Sequence, residues 1–277
     1  MIDGESVSRE ANRRVIAVVN QKGGVGKTTT AINLGAALAA SGQRVLLIDI
    51  DPQGNSTTGL GIPKGSLDGT VYDVLRGERT LDSVARPTGE PGLDLIPATI
   101  ELAGAEVELA SALARERKLA AALETLSGDY AYALLDTPPS LGLLTVNCLT
   151  CADEVLIPIQ CEYYALEGLT QLMQTMRLVS RHLNPGLRFL GVLLTMHDAR
   201  TRLSEDVAAE VRKHFPAEVF ATVIPRTVRL SEAPSHGQPI IRYDPGSRAA
   251  QAYLELAKEV MARGNQETGT GIADPWR

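Results

Sequence analysis

The sequence is poor in aromatic residues, in cysteine and in long apolar runs. Only 4% of its 277 residues are aromatic, whereas 44% are hydrophobic, so aliphatic side chains must build most of the core. Such a core suits helices packed on a parallel sheet better than an antiparallel sandwich. A chain of this length with 22% charged residues can bury a full core, and one large domain is the default expectation.

Three further absences limit the environment of the chain. The first 14 residues, MIDGESVSREANRR, lack the apolar centre of a signal peptide. No apolar run approaches the roughly 18 residues that a membrane span needs. The three cysteines, Cys148, Cys151 and Cys161, are too few for a disulfide framework. A cytoplasmic protein without membrane attachment is therefore expected.

Apolar runs of strand length alternate with longer stretches of helical periodicity, as in successive βαβ units. The strands are expected at 15–20, 44–51, 93–98, 132–140, 154–159, 189–195 and 220–225, and the fourth of them runs into a Pro-Pro loop. The helices are expected at 27–41, at 165–183, at 204–215, at 247–263 and behind the third strand, where Leu102, Leu109, Leu113, Ala120 and Leu123 mark one face. We therefore predict an α/β fold, a single doubly wound, mostly parallel sheet flanked by helices, with one domain at 15–263 and flexible segments at 1–14 and 264–277.

Residues 20–30 read NQKGGVGKTTT, a glycine-rich turn between the first expected strand and its helix. In this setting backbone N–H groups gather phosphate oxygens. There Lys27 would reach the β- and γ-phosphates of a nucleotide, and the Thr28 hydroxyl would bind Mg²⁺. The generic loop has glycine where this chain has Gln21, so the loop is a variant, and the generic pattern gives Lys22 no role. A glycine-rich turn without a ligand is the alternative.

Two aspartates lie at the ends of apolar strand runs, Asp51 in DIDPQGN and Asp136 in LLDTPPS. Carboxylates at the carboxyl ends of parallel strands fall on the ligand-binding edge of such a sheet. An aspartate that ends a strand can also simply cap a turn. Two of them beside a phosphate-binding loop favour a nucleotide and Mg²⁺ site.

Cys148 and Cys151 form the stretch CLTC, which in principle could ligate a metal or an iron–sulfur cluster. Such sites normally need about four ligands, and the sequence has no second pair of this kind. Buried thiols are the preferred interpretation, and a cluster shared between two subunits is the alternative.

Five stretches, KGGVGKTTTAINL, LLIDIDPQGNST, LLDTPPSLG, CEYYALEGL and VIPRTVRLSEAPSHGQPI, resemble the deviant-Walker partitioning ATPases of the ParA/Soj type. They occur in the family's order across nearly the whole chain. The resemblance implies a P-loop ATPase that uses ATP and Mg²⁺, with weak basal hydrolysis to ADP and phosphate. It also implies an ATP-bound homodimer that binds double-stranded DNA non-specifically, and a ParB/Spo0J-type partner that stimulates hydrolysis and release.

The same resemblance assigns roles to single residues. Lys22 would cross the dimer interface to the phosphates held by the other subunit, Asp51 would orient the attacking water, and Asp136 would hold the hydration shell of Mg²⁺, which Asp51 also contacts through water. Asp49 is a neighbour of these groups. The remaining ATP contacts implied are Gly23, Gly24, Val25, Gly26, Thr29 and, near adenine, Pro225.

Net charge is −6, so any DNA site must be a local basic patch. Arginines that converge on one face would bind phosphates without reading bases, although arginines in an acidic chain are usually solvated or ion-paired. The resemblance places basic DNA-contacting residues at Arg200 and Arg229, and the same stretches add Arg226, Arg242 and Arg248.

The predicted function is ATP-dependent DNA partitioning in the cytoplasm, in association with the nucleoid. Three alternatives remain at this stage. A division-site ATPase of the MinD type needs a C-terminal amphipathic helix, and GNQETGTGIADPWR has neither a basic face nor an apolar stripe. An iron–sulfur carrier ATPase would need the cysteine pair. A purely structural DNA-coating protein would not need Asp51. About 14 residues precede the first strand, too few for an N-terminal helix-turn-helix.

Overall fold

The structure is a computed structural model that describes residues 13–162 and 169–266. These residues form eight strands, which are β1 (Arg14–Val18), β2 (Val45–Asp49), β3 (Arg86–Pro87), β4 (Leu93–Ile96), β5 (Tyr132–Asp136), β6 (Glu154–Gln160), β7 (Arg188–His197) and β8 (Val219–Pro225). They form one sheet in the order β3-β4-β2-β5-β1-β6-β7-β8. Every pairing is parallel except that of the short edge strand β3 with β4. The predicted doubly wound α/β fold is confirmed.

The described helices are α1 (Lys27–Ala40), α2 (Asn55–Gly59), α3 (Val71–Arg76), α4 (Leu81–Val84), α5 (Leu102–Glu108), α6 (Lys118–Glu124), α7 (Leu143–Cys151), α8 (Leu169–His182), α9 (Arg202–His214), α10 (Arg229–Glu232), α11 (Ile240–Tyr243) and α12 (Arg248–Gln266). None of the helices in the described part of the chain is long and apolar enough to cross a membrane.

Alternate residues of the central strand β1 face two different cores. Val15 and Ala17 pack in the core that contains residues of α3 and α5–α9, whereas Ile16 and Val18 pack in the core that contains α1 and α12. A strand buried on both faces reads as a continuous apolar run, which explains why β1 could be located from the sequence. The helices on both faces leave the carboxyl edge of the sheet open to hold a ligand.

The prediction was wrong for the helix behind the third expected strand. The chain forms α5 and α6 as two short helices, with 3₁₀ turns at Leu109–Ser111 and Arg115–Arg117 between them. Ala114 has φ of 50°, a left-handed conformation that ends helical geometry. Leu113, expected on the buried face, is 92% exposed.

The domain limits stay predictions because most of both terminal segments lies outside the described residues. Within the described residues β1 begins at Arg14, and α12 runs three residues beyond the expected end at Arg263. The expected helix at 165–183 corresponds to α8, and its first four residues lie outside the described ranges. The region between β2 and β4 contains α2, α3, α4 and β3, for which the sequence analysis predicted no element.

Candidate nucleotide-binding site

The loop between β1 and α1 has the backbone of a phosphate-binding loop. Gly24 and Gly26 have φ of 75° and 90°, in the left-handed region that favours glycine. Gly26 precedes the first residue of α1, and no side chain in the described part of the chain caps this helix start. The first N–H groups of a helix have no partner within the helix, so they can donate to an anion placed there. The backbone of residues 23–29 therefore fits phosphate oxygens.

Contacts from the neighbouring strands hold this loop in place. The Asn20 side chain donates to the Pro158 carbonyl on β6 at 2.7 Å and accepts the Lys22 N–H at 2.9 Å. The Thr195 hydroxyl on β7 donates to the Val25 carbonyl at 2.8 Å. Both β6 and β7 lie on the same side of β1, so the sheet anchors the loop at Asn20 and at Val25.

The two lysines of the loop have opposite surroundings. Lys27 is only 6% exposed, and its Nζ donates to the Lys22 carbonyl at 3.0 Å. Burial lowers the pKa of Lys27, while the nearby Asp136 and Asp51 carboxylates raise it. Lys27 therefore points into the site, beside both predicted carboxylates. The Lys22 side chain is exposed, so it lies on the surface of the same loop.

Asp136 lies at the end of β5, between β1 and β2, and is fully buried. One carboxylate oxygen, Oδ2, accepts a hydrogen bond from the Ser56 hydroxyl at 2.8 Å. The other, Oδ1, has no hydrogen-bond partner among the described residues. Burial and the neighbouring Asp49 raise the pKa of Asp136 to about 7, whereas Ser56 and Thr28 lower it. A buried carboxylate with one unpaired oxygen is a position that a cation would satisfy.

Asp51 follows β2 and is 7% exposed. Its Oδ1 accepts the Gln53 N–H at 2.9 Å, and its backbone carbonyl accepts the Gly54 N–H at 2.8 Å. Asp49, the last residue of β2, pairs in register with Asp136. Burial raises the pKa of Asp49 to about 6. The structure thus brings Lys27, Asp51 and Asp136 together, with Asp49 directly behind them.

The oxygen donors at this edge suit Mg²⁺. Asp136, Asp51 and the Thr28 hydroxyl are hard ligands, and Mg²⁺ typically keeps several waters while binding one or two carboxylates and substrate phosphates. No group of three or more His, Cys, Asp or Glu side chains able to hold a metal alone occurs in the described ranges. The donor set therefore fits an ion that is completed by water and phosphate.

We expect the free protein to become less stable as pH rises from about 5.5 to 8. The raised pKa values of Asp136 and Asp49, about 7 and about 6, mean that the folded state binds more protons than the unfolded chain in this range. Stability then falls as pH rises through these pKa values. The free energy of unfolding should be lower at pH 8 than at pH 5.5 by roughly 2–3 kcal/mol.

Urea denaturation with EDTA and without nucleotide measures this difference. Asp136→Asn is the matched variant, because it removes the more strongly perturbed carboxylate and should lose most of the pH dependence. An identical slope in parent and variant would show that other groups cause it.

Two arginines predicted to bind DNA lie at the carboxyl ends of β7 and β8. The Arg226 N–H donates to the His197 carbonyl at 2.9 Å, which joins these two strand ends. Arg200 makes a two-pronged ion pair with Asp198, with N···O distances of 2.9 and 2.8 Å. These arginines, above all Arg200, hold the pKa of Asp198 well below its usual range. Arg200 and Arg226 therefore lie close together.

The other three arginines are placed differently. Arg229 begins α10 and pairs with Glu232 at 3.1 Å and with Asp244 at 3.6 Å. Arg242 bonds to the carbonyl of Gly89 and to Glu90, in the loop that leads into β4 at the amino edge of the sheet. Arg248 is exposed at the start of α12. The structure thus places the Arg242 guanidinium at the opposite edge from Arg200 and Arg226.

The remaining predicted positions are Pro225 and the cysteines. Pro225 ends β8 opposite His197. Cys148 and Cys161 are buried, and Cys151 is half-buried. Burial raises the pKa of all three thiols, that of Cys161 to about 11. Protonated thiols away from water are poor metal ligands, which favours the interpretation of structural cysteines.

Two residues of the site were missed by the sequence analysis. Ser56 and Thr57 in α2 are both fully buried and contact Asp136 and Asp49 respectively. Buried hydroxyls so soon after DIDPQGN are a recognisable feature, but their partners could not be read from the sequence because one of them lies 80 residues away.

Comparisons with known proteins give a consistent result. A family model described as AAA domain matches residues 13–189. The sporulation initiation inhibitor protein Soj of Bacillus subtilis is 60% identical over 251 residues, covering 91% of this chain and 99% of that protein. The chromosome partitioning protein ParA of Caulobacter vibrioides is 57% identical over 252 residues, covering 90% of this chain and 94% of its own.

Among solved structures, the cobyrinic acid a,c-diamide synthase of Mycobacterium smegmatis with bound ATP analog and magnesium superposes with a TM-score of 0.82. It is 40% identical and covers 95% of this chain and 99% of its own. Its name describes another activity, but its sequence is less similar than those of Soj and ParA. The match supports the fold and the type of ligand.

Proposed function

Because the chain belongs to the Soj/ParA family of chromosome-partitioning ATPases, we propose that it is a switch that binds DNA as an ATP-bound dimer and leaves DNA after hydrolysis. The chain is an ATPase, and ATP and Mg²⁺ are its cofactors. The observation that best supports the proposal is the buried Lys27 beside Asp51 and Asp136, at a glycine-rich helix start.

The phosphates of ATP would lie on the backbone of Gly23, Gly24, Val25 and Gly26 and on Thr29, with Lys27 at the β- and γ-phosphates. Lys27 is already held beside the carboxylates, so it needs no rearrangement to meet the phosphates. Pro225 would lie near adenine. Positioning and charge neutralisation are the main contributions of a protein to phosphoryl transfer.

Mg²⁺ would be held by the Thr28 hydroxyl directly and by Asp136 and Asp51 through water. When bound, the ion neutralises charge that develops on the phosphates. Asp51 would orient and accept a proton from the attacking water, which is the task of a positioned carboxylate near the γ-phosphate. The unpaired Asp136 Oδ1 supports this assignment of the metal site.

Lys22 would reach across to the phosphates bound by a second copy of the chain. Its backbone is fixed by Asn20 while its side chain is exposed, as a group that meets a partner must be. Two nucleotides between two subunits bring many negative charges together, and a cation from each loop offsets them. ATP would thus stabilise the dimer by binding the associated state more tightly than the monomer.

DNA would bind to Arg200, Arg226 and Arg229, with Arg248 as a further candidate. Arg242 is a weaker candidate than the sequence predicts, because its guanidinium lies at the opposite edge of the sheet from Arg200 and Arg226. Arg200, Arg226, Arg229 and Arg242 each pair with a carboxylate in the free protein. Such exposed pairs contribute little stability, so their arginines can exchange a carboxylate for a phosphate at small cost. A ParB-type partner is implied by the family, and its stimulation of hydrolysis, like cytoplasmic and nucleoid-associated localisation, is part of the proposal.

The alternative functions have weaker support. The iron–sulfur carrier ATPase needs reactive cysteines, and burial raises the pKa of all three thiols. The MinD-like membrane cycle depends on a C-terminal segment that lies outside the described residues. A DNA-coating protein would have no use for the carboxylates around Lys27.

Arg229→Ala should weaken binding of the ATP-bound protein to all duplex sequences about equally. Removing one phosphate contact should reduce the slope of log affinity against log salt by about 1. Fluorescence anisotropy with two unrelated duplexes at several salt concentrations measures both quantities.

The matched control is Arg79→Ala. Arg79 is also a partly exposed arginine paired with an aspartate, Asp68, but it lies just before α4, outside the stretches that contain the predicted DNA contacts. It should bind DNA like the parent. A loss confined to one of the two duplexes would indicate base recognition and contradict the proposal.

A further inference from the structure

The segment after Asp51 is fastened to both buried carboxylates by two hydroxyl side chains. The Ser56 hydroxyl donates to Asp136 Oδ2 at 2.8 Å. The Thr57 hydroxyl donates to Asp49 Oδ2 at 2.7 Å, and the Thr57 backbone N–H donates to the same oxygen at 2.9 Å. All four residues are 0% exposed. The first turn of α2 is therefore held at the ends of β2 and β5 without help from solvent.

The Thr57 hydroxyl joins three elements of the fold. Besides donating to Asp49 at the end of β2, it accepts the N–H of Ala98, just beyond β4, at 3.0 Å. The hydroxyl group thus uses both its donor and its acceptor capacity in the interior. A side chain of the same shape without oxygen would leave the Ala98 N–H unpaired and would remove one of the two donors to Asp49 Oδ2.

Asp49 and Asp136 differ in what they can still bind. Asp49 Oδ1 accepts the Asp51 N–H at 3.2 Å, and Asp49 Oδ2 accepts both donors of Thr57. Every one of these bonds goes to the segment 51–57. Asp136, in contrast, keeps Oδ1 without a hydrogen-bond partner in the described part of the chain. Asp49 therefore holds both ends of the segment 51–57, and we call its contacts with Asp51 and Thr57 the brace. Asp136 Oδ1, in contrast, is available to a ligand.

Asp51 lies between the two ends of this brace. Asp49 holds the Asp51 N–H, and Thr57, six residues later, is held by the same carboxylate. Within the short loop between them, the Gln53 N–H donates to the Asp51 side chain and the Gly54 N–H to its carbonyl. The position of the Asp51 carboxylate is thereby tied to the Asp49–Thr57 contact.

We propose that Thr57, acting with Asp49, is a positioning residue for ATP hydrolysis that holds Asp51 where the attacking water requires it. The inference rests on the proposed role of Asp51. Catalytic groups must be held within about 0.5 Å of the productive geometry, and a shift of about 1 Å can lower the rate by roughly 10²-fold. ATP affinity depends on the loop between β1 and α1. The hydrogen bonds of Thr57 in the described structure go to Asp49 and Ala98 and not to this loop, so ATP affinity should change little.

The test compares Thr57→Val, Thr57→Ser and the neighbouring control Thr58→Val. Among the described residues, Thr58 Oγ1 donates only to carbonyls of its own turn, those of Gly54 and Asn55. Single-turnover hydrolysis of γ-labelled ATP with Mg²⁺ gives the chemical rate, and a fluorescent ATP analogue gives the affinity. We expect Thr57→Val to be slower by roughly 10- to 100-fold, with Thr57→Ser and Thr58→Val within about twofold of the parent. Nucleotide affinity should stay within about twofold for all three variants.

Parent-like hydrolysis by Thr57→Val would overturn the inference, as would a loss of ATP affinity as large as the loss of rate. Should Thr57→Val not fold, as judged by its melting curve, Asp49→Asn decides instead. The asparagine keeps one acceptor oxygen and so can hold only one end of the brace. A parent-like rate for that variant would equally overturn the inference. The outcome is separable from the proposed function, because Asp51→Ala tests Asp51 itself.

Discussion

Asp51→Ala should lower the rate of ATP hydrolysis by roughly 10²–10³-fold, the range expected when a positioned acid–base group is removed. Asp51 is held beside Lys27 and Asp136, and in the described structure the hydrogen bond accepted by its side chain comes from Gln53, not from the β1–α1 loop that would bind the phosphates. ATP binding and ATP-dependent dimerisation should therefore persist. Phosphate release under single-turnover conditions, followed by size-exclusion chromatography with light scattering, measures both properties.

The variant should accumulate as an ATP-bound dimer, because the step that ends this state is removed. The matched control is Asp94→Asn, a partly exposed carboxylate that pairs with Arg44 at the amino end of the sheet. It should hydrolyse ATP like the parent. An Asp51→Ala protein that stays monomeric with ATP would contradict the separation of binding from hydrolysis.

Lys22→Gln should weaken ATP-dependent dimerisation by at least about 30-fold, equivalent to about 2 kcal/mol. In the dimer, Lys22 would face the phosphates held by the other subunit. Removing its charge leaves those phosphates uncompensated in the dimer but does not affect the monomer. ATP binding by the monomer should change by no more than about threefold, because the buried Lys27 keeps its place. Light scattering at several protein concentrations, with ATP and Mg²⁺, measures the association.

Lys258→Gln serves as the control, since Lys258 is an exposed lysine on α12 that pairs only with Glu255 in the described structure. It should dimerise like the parent. Normal dimers of Lys22→Gln would refute the role of this lysine. Equal loss of monomer ATP binding would instead assign Lys22 to its own nucleotide.

The sequence allowed prediction of those parts of the fold and site that depend on local patterns. Three features are determined by residues that are close together in the sequence. They are the continuous apolar runs of β1 and β5, the glycines with positive φ and the aspartates at the ends of strands. Where a strand is followed by a turn and a helix, residues at the end of the strand lie at the carboxyl edge of a parallel sheet. Lys27, Asp51 and Asp136 were therefore named before their contacts were known, and the structure brings them together.

The missed parts depend on contacts between distant residues or on weak local signals. The partner of Ser56 is 80 residues away, and the acidic partner of Arg242 is 152 residues away. The helix expected behind the third strand is interrupted at Ala114, which has a positive φ. Alanine gives no sequence signal for that conformation. By contrast, α3 carries a readable signal, because Thr70 and Asp73 form a capping box at its start.

The measurement that tests the account most directly is the affinity for a non-specific duplex with ATP, with ADP and without nucleotide, in the parent and in Asp51→Ala. We predict that the chain binds the duplex tightly only with ATP and Mg²⁺. The parent should lose this binding as it converts ATP to ADP, whereas Asp51→Ala should stay bound for longer. Equal affinity of the nucleotide-free chain for the same duplex would contradict the claim that ATP controls the grip on DNA.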